Sequence, residues 1–288
     1  MKILPIAISA PFKQADYLVG KKTLEDQGHE FLCDAVIRSA TQSYLNGTDA
    51  ERLQELEQAL SHPEADVIWA VRGGYGITRL LPKIQPNLPF SKGGIITGMS
   101  DVTALTSHVL AQYKRKSLHA PLIKTLSKEP PEVLEALNLI FKGQARQVAY
   151  PRFSSPFETG ETRGILIPMN LSILVELLAT PSMPNLNEGI LILEDTHEQP
   201  YRLDRMLTHL WAAGVLTGVQ AIIVGHLTEC GDNPLDAFLE RCTECKIPCF
   251  TGFPIGHESP NWPVPIGVQA KIEVSGGRAC LKILEELF

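Results

Sequence analysis

The sequence predicts an α/β protein whose first half is a parallel sheet flanked by helices and whose second half is richer in strands. Three observations carry this. Apolar runs of strand length alternate with amphipathic stretches as far as residue 141. Two of these runs end in glycine-bearing turns, Arg72-Gly73-Gly74-Tyr75-Gly76 and Gly98-Met99-Ser100, where the carboxyl ends of parallel strands gather functional groups. Beyond residue 162 the runs 164–167, 189–193, 221–224, 270–274 and 279–283 all read as strands, with one strong helix, 202–213, among them.

The elements follow in order. Ile3-Leu4-Pro5-Ile6-Ala7-Ile8 predicts a first buried strand, closed by Pro11. Lys2 ahead of an apolar run suggests a leader, but about eight residues interrupted by Pro5 is short for one, so a cytoplasmic chain is expected. A second strand is expected near 30–36. Asp49–Leu60 is a helix, with Leu53, Leu56 and Leu60 on one face. Residues 66–71 form a buried strand, and a helix-like stretch, 77–81, closes that unit. After the strand beginning at Gly94, Val102, Leu105, Val109 and Leu110 fall on one face of a helix that starts at Asp101. Pro131–Phe141 is a further helix. The stretch 142–162 carries Gly143, Pro151, Ser154, Ser155, Pro156 and Gly160 without periodicity and reads as a connection. The expected units are therefore 1–145 and 163–288, joined by a linker at 146–162. Gly214 ends the helix 202–213.

Composition narrows the function. The 288 residues suffice for two domains, and 44% hydrophobic against 20% charged residues is the profile of a soluble globular protein. A net charge of -6 gives no reason to expect nucleic acid. No apolar run approaches the ~20 residues of a membrane span. Six cysteines are too few for a disulfide scaffold. Cys242-x-x-Cys245 with Cys249 lies at the end of an amphipathic helix and lacks a histidine or second pair at zinc spacing, so no metal site is expected.

Ser100 stands at a strand-to-helix corner, the setting of a nucleophile elbow, although Gly98-x-Ser100-x-Val102 departs from the full G-x-S-x-G pattern. Ser followed by Asp is equally an ordinary helix cap. The 72–76 turn lacks the Lys-Ser/Thr of a phosphate loop. It is either a tight turn or a source of N–H groups for an oxyanion. Glu194-Asp195 ends an apolar strand, with Glu198 a rival acid. His226, after a strand, and His257, in a Gly- and Pro-rich loop, could each act as a general base.

Taken together, Ala10-Pro11, Arg72-Gly73-Gly74-Tyr75-Gly76, Gly98-Met99-Ser100-Asp101-Val102-Thr103-Ala104-Leu105, Leu193-Glu194-Asp195, Pro200-Tyr201-Arg202-Leu203-Asp204-Arg205-Met206-Leu207 and Gly256-His257 resemble the LD-carboxypeptidase family of serine peptidases, which includes microcin-C immunity peptidases. The resemblance runs nearly the whole length. It implies a flavodoxin-like amino-terminal domain carrying the serine and a smaller β-rich carboxyl-terminal domain carrying the acid and base. It further implies a triad of Ser100, Glu194 and His257, an oxyanion hole from the N–H groups of Gly74 and Asp101, and substrate contacts from Tyr75 and Asn170. Also implied are a homodimer, no metal or other cofactor, and release of terminal D-alanine from murein tetrapeptide in peptidoglycan recycling.

Three places depart from the family pattern. Pro168-Met169-Asn170-Leu171 stands where Gly-Gly-Asn-Leu is expected, His119-Ala120-Pro121 for His-Gly-Pro, and Ala179-Thr180 for Gly-Thr. Side chains replacing glycines fill space, so an altered substrate pocket is expected. The alternatives are an immunity-type peptidase acting on aminoacyl nucleotides, a catalytically silent peptide-binding module and a flavodoxin-like nucleotide binder.

Overall fold

The computed structural model describes residues 1–40, 42–85 and 94–288. Its first sheet grows from strands whose side chains are buried on both faces, as a helix-covered parallel sheet requires. Strand β1 (Lys2–Ile6) leads through helix α1 (Gln14–Glu25) to β2 (Glu30–Phe31). Helix α2 (Asp49–Leu60) starts on a capping box in which Thr48 and Glu51 satisfy each other's backbone N–H. It leads to β3 (Val67–Ala70), followed by β4 (Ile95–Gly98), α3 (Val102–Tyr113) and β5 (Ser117–His119). The strand order β2-β1-β3-β4-β5, all parallel, is the flavodoxin-like order, with its switch point between β1 and β3.

Two local expectations fail in this half. The strand expected at 30–36 ends after Phe31, because the following residues turn to α1: the Tyr17 hydroxyl donates to Asp34 and accepts from the Ala35 N–H. The stretch 77–81 is a turn leading into a short 3-10 helix, Leu81–Lys83. Pro82 brings no N–H to donate back to Thr78, so an α-helix over 77–81 cannot continue through it.

Helix α4 (Pro131–Phe141) precedes the second body, a closed barrel. The expected linker supplies part of it: β6 (Phe153–Ser154) and the first residues of β7 (Thr159–Asn170) lie within 146–162. After β7 come α5 (Leu171–Glu176), β8 (Gly189–Thr196), α6 (Pro200–Ala212), β9 (Ala221–Thr228), α7 (Leu235–Cys245) and β10 (Cys249–Thr251). Strands β7, β8, β9 and β10 run parallel. Strand β11 (Val264–Ile266) then leaves the barrel and pairs antiparallel with β5, becoming the edge of the first sheet. The chain returns to the barrel with β12 (Gln269–Ser275) and β13 (Arg278–Ile283). Among the described residues, no helix is long and apolar enough to cross a membrane.

Candidate active site

Ser100 sits between β4 and α3 with φ +62, a left-handed conformation that a serine holds only at a cost. It does not cap the helix. The capping position is Asp101, in helical conformation and without a side-chain cap. The Ser100 hydroxyl makes no hydrogen bond among the described residues. Gly73 lies over it: a Cβ there would come within 2.9 Å of the Ser100 Cβ and 3.0 Å of its Oγ.

Asp101 is buried at 1% exposure, and its Oδ2 accepts from the Ser9 hydroxyl at 2.7 Å and the Ile77 N–H at 3.1 Å. Burial pushes its carboxyl pKa up, and these hydrogen bonds partly oppose the rise. The side chain thus ties the start of α3 to the segments after β1 and β3, the two strands of the switch point. Gly74 has φ +121, and a Cβ on it would lie 2.6 Å from the Ala10 Cβ, so only glycine fits there. Among the described residues, neither the Gly74 nor the Asp101 N–H donates a hydrogen bond.

Glu194 and His257 meet. Glu194 near the end of β8 is 1% exposed, and its Oε2 lies 2.6 Å from His257 Nδ1. Its Oε1 accepts from the Asn170 side-chain amide at 3.2 Å. Burial alone would lower the imidazole pKa of His257. The hydrogen bond to Glu194 and the charges of Glu194 and Asp195 outweigh it and hold the pKa above its ordinary value. Asp195, beside Glu194, is pushed up to about 6 by burial first and by the Glu194 charge second. The rivals point elsewhere: Glu198 pairs with Arg202 at 3.5 Å, and His226 is kept below its ordinary pKa by burial, its Nδ1 unpartnered among the described residues. Gly256, with φ +129, lets the chain pass over the acid; a Cβ there would fall 3.0 Å from Glu194 Oε2.

One connection carries no sequence signal beyond a polar residue in a Pro-rich loop. Asn261 is 2% exposed. Its Oδ1 accepts from the Gly256 N–H at 3.0 Å and faces His119 Nε2 at 3.3 Å, and its amide donates to the Met99 sulfur at 3.0 Å. The residue before His257 is thereby bound to the residue before Ser100. His119 is fully buried, and burial lowers its pKa to about 4, leaving it a neutral partner.

Asn170, expected at the substrate, lies against the acid. It is buried, its amide held by Glu194 and Asp195 and its oxygen by Ile173 N–H and the Ser172 hydroxyl. It caps α5 and orients the acid. Tyr75 is 40% exposed beside the Tyr44 ring, at the rim of the turn. The expected pocket changes are also placed differently. Met169 is 1% exposed and receives a hydrogen bond from Ser107 of α3, so it is core packing. Pro168 is buried, and its ring nitrogen faces away from β8: Ile165 N–H goes to β8, Leu166 N–H to the other side. The β12 pairing ends at Ile165, so the missing N–H at 168 breaks no ladder bond. Ala120 is fully buried, and Ala179 holds φ +59, the glycine-type angle of the residue it replaces. Among the described residues no cluster suited to a metal ion occurs; Cys242 and Cys249 are buried free thiols.

Known proteins resemble this chain in both of its halves. The LD-carboxypeptidase N-terminal domain matches residues 3–120, and the LD-carboxypeptidase C-terminal domain matches residues 163–272. A putative carboxypeptidase of Synechocystis is 34% identical, over 81% of this chain and 78% of its own length. A probable murein peptide carboxypeptidase of Bacillus subtilis is 30% identical, over 83% of this chain and 78% of its own. The crystal structure of muramoyltetrapeptide carboxypeptidase from Oxalobacter formigenes superposes with a TM-score of 0.83 at 26% identity, covering 98% of both chains. The Escherichia coli microcin C7 self-immunity protein MccF is 25% identical over 88% of this chain and 84% of its own. With both halves matched in order and the two-body fold shared throughout, the chain belongs to the LD-carboxypeptidase family of peptidases.

Proposed function

We propose that the chain is a serine-type LD-carboxypeptidase that releases terminal D-alanine from murein tetrapeptide. The observation that carries this is the 2.6 Å contact between Glu194 and His257, linked through Asn261 to the strained corner that holds Ser100. Glu194 accepts from Nδ1–H and so leaves Nε2 free to act as base. Nε2 removes the Ser100 proton as Oγ attacks the carbonyl carbon of the scissile amide. The oxyanion that develops is met by the N–H groups of Gly74 and Asp101, a role in which one lost donor typically costs ~100- to 1000-fold. His257 then gives its proton to the leaving nitrogen, the C–N bond breaks, and the amino acid departs. Water, deprotonated by the same imidazole, cleaves the Ser100 ester.

Names of relatives support the substrate: a murein tetrapeptide carboxypeptidase of Pseudomonas aeruginosa is 28% identical over 80% of this chain. The proposal includes a cytoplasmic homodimer, which fractionation and sedimentation test. The deciding experiment measures free D-alanine from murein tetrapeptide, with native protein and Ser100→Ala side by side. Release by the native protein alone supports the proposal. Silence from both overturns it and favours an aminoacyl nucleotide substrate or a binding role.

A further inference from the structure

In the reaction above the imidazole hands its proton to the leaving nitrogen, so the released residue must sit on the His257 side of the scissile bond. A cavity of about 200 Å³ opens there, lined in part by Met99, Lys124, Lys128, Glu129, His257 and Asn261. The cavity is open to solvent on one side and has room for a single residue. What a carboxypeptidase releases ends in a carboxylate, and this cavity has a cation in its wall.

Lys124 lies in the short 3-10 helix Ile123–Lys128 after β5, and its main-chain N–H is bonded to Val71 O, next to the 72–76 turn. The side chain is half-buried yet forms no ion pair among the described residues. Arg72 and Lys128 repel its ammonium and Asp16 attracts it. Of the two acids in the cavity wall, Glu129 is engaged: it accepts from the Asn261 N–H at 2.9 Å and the Ser259 hydroxyl at 3.1 Å. Glu258 is exposed. The Lys124 charge also reaches His257, where it opposes the charges of Glu194 and Asp195. A partly desolvated ammonium among like charges, close to the base, is arranged to receive an anion.

We infer that Lys124 binds the terminal carboxylate of the residue to be released and thereby sets the carboxypeptidase specificity of the site. This rests on the carboxypeptidase reading above. The test compares native protein, Lys124→Met and Lys124→Arg on murein tetrapeptide and on the same peptide with an amidated terminus. Native protein is expected to prefer the free acid, and Lys124→Met to lose that preference through a KM for the acid raised ~10- to 100-fold, the range of one charged hydrogen bond. Lys124→Arg keeps the charge and restores the preference in large part. Removing the cation also raises the His257 pKa, so the acid limb of kcat/KM moves to higher pH in Lys124→Met and returns in Lys124→Arg. An unchanged acid-to-amide ratio in Lys124→Met, with native protein active, overturns the role of Lys124 alone. No hydrolysis by native protein overturns the carboxypeptidase reading and this inference with it.

Discussion

Replacing Glu194 by Gln tests the acid–base pair with the least change of shape. The native carboxylate does two things: Oε2 accepts from His257, and Oε1 accepts from Asn170, whose own oxygen is fixed by Ile173 and Ser172. A Gln cannot do both. If its amide nitrogen faces His257, the imidazole must carry its proton on Nε2, the wrong tautomer for a base. If the nitrogen faces Asn170, two donors oppose each other in a buried site. The charge that favours the imidazolium is lost in either case. The corresponding loss in a Ser-His-Asp enzyme is ~10⁴-fold in turnover. We expect a fall in kcat/KM of ~10³- to 10⁴-fold, or about 4–5.5 kcal/mol of transition-state stabilisation. The His257 pKa, held up mainly by Glu194 against burial, should drop below the ordinary ~6.5. Steady-state D-alanine release and an NMR titration of the imidazole read both quantities on one sample. Activity within tenfold of native, or an imidazole still titrating above its ordinary value, would refute the coupling between the two residues.

Ser100→Gly should abolish activity while raising stability by about 0.5–1 kcal/mol in urea unfolding, because glycine accepts φ +62 without the cost serine bears; equal or lower stability would show that the corner is unstrained. Ala179→Gly should stabilise by a similar ~0.5–1 kcal/mol for the same reason, with activity retained, since Ala179 holds φ +59 away from the Glu194–His257 contact. Asp195 titrates at about 6 folded against an ordinary 3.8, so the folded state holds its proton longer and this group lowers stability as pH rises from about 4 to 6. Asp195→Asn should therefore gain on the native protein between pH 4 and pH 7, by at most about 3 kcal/mol; parallel stability curves over that range would contradict it.

Two helices were fully legible, whereas α1 (Gln14–Glu25), a mostly polar segment, was not legible as one. Apolar spacing placed Asp49–Leu60 and Pro131–Phe141 with the bounds that the structure has, because each buries one face and is closed by local signals. The alternation of strands and helices likewise predicted the parallel sheet. The barrel was not legible as a closed object: β6 has two residues and β10 three, too short for periodicity to register. Glu194 and His257 stood out as polar residues at a strand end and in a glycine-rich loop, but their meeting depends on a separation of 63 residues that only the fold bridges. The contacts of Asn170 were not legible for a related reason. An amide can serve a ligand, a helix cap or a buried carboxylate, and its sequence neighbours do not distinguish them. The same holds for Met169, whose partner on α3 comes from 62 residues away.

Strand β11 has a consequence for how the molecule can be taken apart. The loop bearing His257 starts from β10 in the barrel and ends in β11, which is hydrogen-bonded to β5 of the other body. A fragment stopping before residue 163 would leave β5 as a bare edge with unpaired N–H and C=O groups, open to pairing with other chains. A fragment starting there would carry β11 with no sheet to join. The two pieces should therefore be poor products when expressed separately and should recover solubility when made together, so that reassembly of a split chain reports on the strands exchanged across the cut: β11 in one direction, β6 and the start of β7 in the other.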